Sequence, residues 1–393
     1  MQDIMKSAKS LKSELIEIRR ALHRHPEVGR SLPWTKNFII KKLKEYGYEP
    51  REMGGSGVVA TVQGGEKGKA ILLRADMDGL AIKEKAPVPF AAQGGTMHAC
   101  GHDMHTAMLL GAAKLLRQYQ SHIDGTIKLA FQPDEEGFTG AKEMIEAGIL
   151  ENPHIDAGIA LHVHSGAPSG TVICGVGTCL SGCTLFRIRV KGKGCHGALP
   201  ETGVDPINIA AHIYLALQAI NAREVSPQTP VVLTMGKFSG GEAPNIIPEE
   251  VVMEGTIRTM DRDLASQIFT RMEEIALQTA LMFRGSAEVE EMASVPPLHN
   301  HAGMVREIAG YIREAYDPDR VIFSEKGVMA SEDFASYTYE IPCCYLLVGA
   351  GSPQEDELYG KPMHNNCVVF NEDVLPLGSF LYAYGAVRWL QSH

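Results

Sequence analysis

The stretch Met97–His105 holds the densest group of side chains that could do chemistry. Cys100 and His102 flank Gly101 there, immediately before a predicted helix. Two ligands separated by one residue can face one point only where the backbone turns sharply, and glycine permits that turn. A thiol and an imidazole placed together are typical ligands of a transition metal. The alternative interpretation is a polar loop with incidental histidines.

Further metal-type donors stand at the ends of apolar runs elsewhere in the chain. They are Asp76 and Asp78 after Ala70–Ala75, Glu135 and Glu136 after Ile127–Phe131, and His162 and His164 after Ile155–Leu161. In open α/β sheets, ligands bind beyond the carboxyl ends of the strands. Three such runs therefore predict one shared metal site, although adjacent carboxylates on a surface loop are usually just solvated. His364, near the C-terminus, is an isolated further candidate.

The elements that must position these donors alternate between strands and helices. Helices are predicted around Leu11, Leu15, Ile18 and Leu22, over Thr35–Tyr46, and from about Asp103 to Gln118, and a further strand at Val58–Val62. Pro26 ends the first helical pattern, since proline cannot continue a helix. This alternation favours an α/β architecture. We predict a mostly parallel sheet with helices on both faces as the catalytic domain.

The pattern changes near Ser181 and changes back after Pro296 and Pro297. Between them lie a strand at Thr184–Lys191, a helix at Pro206–Ala222, strands at Val231–Lys237 and Val251–Met260, and a helix at Leu264–Phe283. This order predicts a smaller α+β unit that could fold separately. We therefore predict a catalytic domain over residues 1–182 and 295–393, interrupted by an inserted domain over residues 183–294.

Composition excludes several classes of protein. A chain of 393 residues is too long for one ordinary core, and its net charge of -10 does not suit a nucleic-acid binder. It has no apolar run near the ~18 residues that a membrane span needs. The N-terminal residues lack the apolar region of a signal peptide, so we expect a cytoplasmic location. The eight cysteines then stay reduced rather than forming a disulfide framework.

Longer motifs carry a resemblance to a known family. They include LHRHPE at Leu22–Glu27, RADMDGL at Arg74–Leu80, MHACGHDMHTAMLLGAA at Met97–Ala113, QPDEEG at Gln132–Gly137, VKGKGCHGALPETGVDP at Val190–Pro206, NIIP at Asn245–Pro248, GTIRTM at Gly255–Met260 and SEDF at Ser331–Phe334. The sequence resembles the co-catalytic metallopeptidase family of aminoacylases and carboxypeptidases. Within that family it resembles the amidohydrolase subfamily of hippurate hydrolases, N-acyl-amino-acid hydrolases and auxin-conjugate hydrolases. The resemblance runs essentially end to end.

The resemblance implies a site with two divalent metal ions. The implied ligands are Cys100, His102, Glu136, His162 and His364, with Cys100 bridging the two ions and Glu135 acting as general base. Zinc or manganese is the expected metal, and nickel or cobalt would also suit these ligands. Asn366 departs from the family pattern, in which proline is frequent after the final histidine.

The resemblance also assigns roles to the inserted domain, as a lid and a dimerisation domain. His196 would donate to the oxyanion in the partner subunit, which implies a homodimer or a higher homo-oligomer. Asn245 and Arg258 would bind the substrate, and an arginine can fork onto a carboxylate. The alternatives are a surface-loop histidine for His196, and bonding only to local backbone groups for Asn245 and Arg258.

These residues and the resemblance together imply a metal-dependent amidohydrolase that cuts the amide bond of N-acyl amino acids with an activated water. A small-molecule substrate is therefore the expected partner, without nucleic acid or membrane. A dipeptidase or carboxypeptidase using the same site is one alternative, and a catalytically inactive metal-binding relative is another. A structural zinc site would group four ligands at short spacings, whereas these donors are spread from Cys100 to His364.

Overall fold

The computed structural model describes residues 3–65 and 68–393, and the chain divides by its internal contacts into two units. The first unit runs to Cys179 and resumes over His299–Lys326 and Asp333–His393. The second unit comprises Leu180–Leu298 together with the short segment Gly327–Glu332. The second unit is therefore an insertion into the first.

The described helices follow the apolar spacing of the sequence. They are α1 (Asp3–Ser10), α2 (Lys12–His23), α3 (Pro33–Glu45), α4 (His102–Gln118), α5 (Gly140–Glu146), α6 (Pro206–Ala219), α7 (Arg262–Met282), α8 (Ala302–Ala315), α9 (Ala335–Thr338) and α10 (Leu375–Ser392). The predicted first helix is split in two, because the chain turns at Leu11 between α1 and α2. Its apolar face is buried as its spacing predicts.

The described strands extend several of the predicted runs by one or two residues. They are β1 (Arg51–Glu52), β2 (Val58–Gln63), β3 (Ala70–Asp76), β4 (Thr126–Gln132), β5 (Ala157–His164), β6 (Val172–Gly175), β7 (Gly177–Leu180), β8 (Gly182–Lys191), β9 (Cys195–His196), β10 (Val231–Gly240), β11 (Ile246–Ile247), β12 (Glu250–Thr259), β13 (Ser286–Val295), β14 (Leu298–Asn300), β15 (Val321–Ser324) and β16 (Cys343–Gly349). β13 was not predicted from the sequence.

The first unit is built on an eight-stranded mixed sheet with the order β1-β2-β4-β3-β5-β16-β6-β15. Its centre is parallel, since β4, β3, β5 and β16 all run in one direction. Strand β3 is buried at every residue, as expected for a strand covered on both faces. Helix α4 is buried along most of its length and packs against α10 and α2. The predicted α/β class with a mostly parallel sheet is confirmed.

The second unit has a four-stranded antiparallel sheet with the order β10-β12-β8-β13. Alternate residues of β8 are buried, including Phe186, Ile188 and Val190. They pack with the apolar faces of α6 and α7 into a separate core. One face of this sheet is therefore covered by helices, which is a common α+β arrangement.

In the described part of the chain, no helix has the length and apolar character needed to cross a membrane.

Candidate metal centre

The parallel strands bring the acidic donors to one edge of the sheet. β3 pairs in parallel with β4 and with β5, and Asp76 lies opposite Gln132 in the register. The residues that follow these strand ends therefore meet beyond the same edge. Asp78 and Glu135 reach the site in this way, and His162 lies within the last residues of β5.

Gly101 makes the turn that brings Cys100 and His102 to the same place. Its φ is +88°, in the left-handed region, and it is the residue before α4. A Cβ atom at this position would lie 2.5 Å from Val163 Cγ2, so only glycine fits. The sequence predicted that α4 begins at about Asp103. It begins one residue earlier, so His102 occupies its first turn.

The other four predicted ligands come together around Cys100. The ligand atoms of Cys100, His102 and His162 lie within 4.8 Å of one another, and so do those of Cys100, Glu136 and His364. Cys100 is common to both groups. His164, which points to the same side of β5 as His162, belongs to none of the donor groups found among the described residues.

His162 is oriented by the backbone next to it. Its Nδ1–H donates to Val163 O at 2.6 Å, which leaves Nε2 directed at Cys100 Sγ, 3.5 Å away. Burial lowers the pKa of His162 well below its usual range, and the neighbouring His105 lowers it further. The neutral imidazole with a free Nε2 lone pair is the form that binds a metal.

Asp78 orients two of the donors at once. Its Oδ1 accepts from His102 Nδ1 at 3.2 Å, and its Oδ2 accepts from the backbone N–H of Glu136 at 3.2 Å. His102 is therefore held with Nε2 facing the site, and this buried nitrogen makes no hydrogen bond to any described residue. Carboxylates that hold ligating histidines in this manner are a regular part of metal sites.

Asp76 supports the site from behind. It accepts from His105 Nδ1 at 2.5 Å and from Arg74 Nη1 at 2.7 Å, and His105 Nε2 accepts from Val163 N at 2.9 Å. Burial opposes ionisation of Asp76, but His102, His105 and Arg74 together hold its pKa well below the usual range. The residue types placed Asp76 among the metal-type donors, and its carboxylate lies within 4.8 Å of ring nitrogens of His102 and His105, a group that could hold a metal ion. Its oxygens also accept hydrogen bonds from Arg74 and His105.

His364 reaches the site from a strained loop. Its φ is +65°, which is unusual for a residue other than glycine, and its backbone N–H donates to Ala99 O at 2.9 Å. His364 Nε2 lies 3.1 Å from Glu136 Oε1. Hydrogen bonds to Cys100 and Glu136 raise the pKa of His364 to about 10. Protons and metal ions therefore compete for this nitrogen.

The electrostatics of the cluster favour a cation. Burial raises the pKa of the Cys100 thiol, and the carboxylate of Glu136 raises it further. A bound cation reverses this effect, because a coordinating thiol loses its proton. A buried thiol, two buried imidazoles, a carboxylate and an oriented but unsatisfied Nε2 on His102 together fit a divalent metal ion.

Glu135 forms a further donor group with His102 and Glu136, and it is also held by a backbone N–H. It is buried, and its Oε1 accepts from the backbone N–H of Asp333 at 3.2 Å. Its Oε2 lies 3.8 Å from His102 Nε2. Asp333 itself was not singled out from the sequence, although it lies in the quoted SEDF motif.

The other predicted site residues belong to the second unit. β9 pairs with β11 so that His196 lies opposite Ile246, and Gly197 N donates to Asn245 O at 2.8 Å. His196 is exposed and lines an open cavity of about 630 Å³, and its Nδ1 accepts from Ala198 N. His196 and Asn245 are thus close neighbours.

Arg258 lies on β12, half-buried, away from the β9–β11 pair in the chain. Its Nη1 donates to Ser331 Oγ at 2.9 Å and to Met329 O at 3.2 Å, both within the second unit. These contacts fix one end of the guanidinium group. An arginine held in this way is suited to bind a carboxylate in a defined direction.

The fold and the donor cluster are those of a metal-dependent hydrolase, and comparison with known proteins agrees. The model of peptidase family M20/M25/M40 matches residues 72–383, and the chain belongs to this family. The predicted resemblance to its amidohydrolase subfamily, and the predicted class of metal-dependent hydrolase, are thereby confirmed.

Two relatives and one solved structure illustrate the similarity. The chain is 38% identical over 387 residues to an N-acetyl-L-cysteine deacetylase of Bacillus subtilis, covering 98% of this chain and 90% of the relative. It is 33% identical to thermostable carboxypeptidase 2 of Saccharolobus solfataricus, covering 99% and 98%. A dinuclear metal-binding peptidase of the M20 family from Bacillus subtilis matches with a TM-score of 0.79 and 30% identity, covering 98% of this chain and 100% of that one.

Proposed function

We propose that this protein hydrolyses the amide bond of N-acyl amino acids at a site for two divalent metal ions. The observation that carries the proposal is the position of Cys100, whose thiol belongs to two donor groups at once. One group adds His102 and His162, and the other adds Glu136 and His364. The dinuclear metal-binding peptidase among the structural relatives supports the same number of ions.

Each residue then has a separate task. Bound ions would polarise the scissile carbonyl and lower the pKa of a water molecule toward ~7. Glu135 takes the proton from the attacking water and delivers it to the departing amide nitrogen. The Asp333 N–H holds one carboxylate oxygen of Glu135, so the carboxylate stays in one orientation. Zinc and manganese are the expected ions, and nickel or cobalt would also be accepted by these ligands.

The substrate class follows from Arg258 and from the relatives. A guanidinium group fixed by Ser331 and Met329 would bind an anion beyond the amide nitrogen, as in the α-carboxylate of an N-acyl amino acid. The deacetylase relative acts on such a compound by its name, N-acetyl-L-cysteine. The carboxypeptidase relative favours a second candidate, cleavage of a peptide next to its C-terminal residue, since that product also carries a free carboxylate.

We further propose that the active protein is a homodimer located in the cytoplasm, in which His196 and Asn245 contact substrate. His196 is exposed, and its Nδ1 accepts from Ala198 N, so Nε2–H would be free to donate to an oxyanion. β10 is an edge strand, and Leu215 of α6 is 66% exposed in the same unit. Unpaired edges and exposed apolar side chains favour association. The eight free cysteines suit a reducing compartment.

The test compares acids with their neutral analogues. N-acetyl and N-benzoyl amino acids should be hydrolysed, and the matching carboxamides should react about 10- to 100-fold more slowly in kcat/KM, because a hydrogen bond to a charged group contributes roughly 1.5–3 kcal/mol. Arg258→Lys should reduce this ratio, since a point charge cannot replace the guanidinium fork. Initial rates on both series measure it, with dipeptides included to test the second candidate.

Arg187→Lys provides the matched control. Arg187 lies on β8 of the same unit and pairs with Glu254, so its replacement should leave the acid-to-amide ratio unchanged. Equal turnover of acids and amides by the unmodified protein would contradict the proposed carboxylate recognition. Dipeptides cleaved faster than every acyl amino acid would favour the peptidase.

A further inference from the structure

Asp333 lies at the centre of a buried network in the first unit. Its Oδ1 accepts from Arg74 Nη2 at 2.6 Å, and its Oδ2 accepts from Ala141 N at 2.8 Å. Gln132 Nε2 donates to both oxygens, at 2.8 and 2.7 Å, and Gln132 Oε1 accepts from Arg74 Nε at 3.0 Å. The side chain of Asp333 is therefore fixed by donors from β3, β4 and α5.

The same residue supplies the backbone donor to Glu135. Because the side chain of Asp333 is fixed, its N–H has a fixed position, and that N–H donates to Glu135 Oε1 at 3.2 Å. We propose that Asp333, Arg74 and Gln132 act as a clamp that positions Glu135 for proton transfer. They are positioning residues, and the proposal rests on the role of Glu135 in the proposed function.

Charge balance explains why the clamp contains an arginine. Arg74 is fully buried and pairs with Asp76 at 2.7 Å as well as with Asp333 at 2.6 Å. A planar guanidinium can serve two carboxylates in this way, whereas a lysine presents a single point charge. Removing one partner would leave a buried charge uncompensated, which is costly. Arg74 thus links Asp76, behind the metal ligands, to the segment that holds Glu135.

The chain path gives the clamp a second task. The segment Gly327–Glu332 belongs to the second unit, and the chain returns to the first unit at Asp333. The clamp therefore anchors the first residue of that return. If the clamp were only a structural anchor, a clamp substitution would lower kcat by the same factor whether Glu135 is present or replaced. If the clamp positions Glu135, the substitution lowers kcat only while Glu135 is present.

The experiment is a double-mutant cycle between Asp333→Asn and Glu135→Gln, with Gln132→Met as a milder clamp variant. Gln132→Met keeps the volume but removes the Nε2 donors, in case Asp333→Asn folds poorly. Asp333→Asn should lower kcat roughly 10- to 100-fold, because displacement of a reacting group by about 1 Å costs that order of rate. KM should change less than about threefold, and bound metal per chain should stay the same. In the Glu135→Gln background, either clamp variant should cost less than about twofold.

Amide hydrogen exchange of metal-free protein gives an independent measurement. The peptide containing the Asp333 N–H should exchange faster in both clamp variants than in the unmodified protein. Asp156→Asn is the matched control, because Asp156 also accepts from a backbone N–H, Ala70 N at 2.9 Å, and from Lys69, but at the opposite end of β3. It should leave kcat and the exchange of that peptide unchanged.

Three results would overturn the clamp. They are an unchanged kcat in both variants, an equal loss in both backgrounds, or a loss of bound metal that accounts for the loss of rate. A Glu135→Gln loss below about tenfold is a different failure, because it removes the general base and with it the proposed function. The single Glu135→Gln variant alone detects that outcome, so the two failures are distinguishable.

Discussion

At the scale of single residues, the site depends on the groups that hold each donor from its other side. Asp78 fixes the ring of His102 through Nδ1 and the backbone of Glu136 through its N–H. Val163 fixes both neighbouring histidines, because its O accepts from His162 and its N donates to His105. These hydrogen bonds orient the donors toward one point, as the groups around metal ligands regularly do.

The adjacent glutamates Glu135 and Glu136 should behave differently when each is changed to glutamine. Glu135→Gln should retain bound metal and lose about 10²–10⁴-fold in kcat, the usual contribution of general acid–base catalysis. Glu136→Gln should lose metal, because Glu136 belongs to a donor group with Cys100 and His364. Metal per chain by atomic emission and kcat at saturating substrate measure the two effects.

Glu143→Gln is the control for this pair. Glu143 lies on α5, a few residues further along the chain, and its carboxylate pairs with Arg30 rather than with the cluster. It should retain both metal and turnover. Loss of metal from Glu135→Gln with metal retained by Glu136→Gln would reverse the two roles.

The sequence identifies residue types that bind metals, but it does not show which residues hydrogen-bond to them. Cys100, His102 and His162 are three residues of two types suited to metals, and the structure brings them together. Nothing in the sequence shows that Asp76 is engaged by Arg74 and His105. Asp333 was missed for a related reason, since its partners are distant in the chain and its contact with Glu135 is through the backbone.

At the scale of elements, the turn at Gly101 decides where α4 begins and where two donors point. Left-handed φ alone costs an L-residue about 1–2 kcal/mol. At Gly101 a side chain would also meet Val163 and Phe370. Val163 is the residue that orients His162, so a displacement there would reach a second donor.

Gly101→Ala should therefore destabilise the fold by about 2–5 kcal/mol, the sum of backbone strain and overpacking, and should also reduce bound metal. Gly148→Ala is the matched control. Its φ of +87° is nearly the same, but no atom lies within 4 Å of the added Cβ. Gly148→Ala should be destabilised only by the left-handed backbone strain, and it should keep its metal. Urea unfolding and metal analysis test both variants, and equal behaviour of the two would show that contact with Val163 does not matter.

Elements with a clear apolar pattern in their sequence were predicted well, and elements without such a pattern were not. The runs that became β3 and β4 are mostly apolar, each with one basic residue, and both were predicted within one residue at each end. β13 was missed because Ser286–Val295 is mostly exposed and carries three glutamates. Its place is set by antiparallel pairing with β8, a contact between distant segments.

At the scale of the whole molecule, the proposed chemistry is divided between two units. The metal donors and Glu135 belong to the first, and His196, Asn245 and Arg258 belong to the second. An inserted domain is predicted from the sequence by a change of pattern. The assignment of Gly327–Glu332 to the second unit has no such signal in the sequence. It depends on contacts such as Ser181 N with Val328 O and Arg258 with Ser331.

The division between units leads to the last prediction, that His196 acts on the site of a partner subunit. His196→Ala and Glu135→Gln proteins should each be nearly inactive alone. After subunit exchange at equal concentrations, about half of the dimers are hybrids, and each hybrid has one intact composite site, so about a quarter of the activity of the unmodified protein should return. Each variant taken through the exchange by itself is the control and should stay inactive. Exchange is verified by mass spectrometry of differently labelled subunits. Absence of recovery in verified hybrids would place His196 outside the partner's site, since an intact pair of residues would then exist without activity.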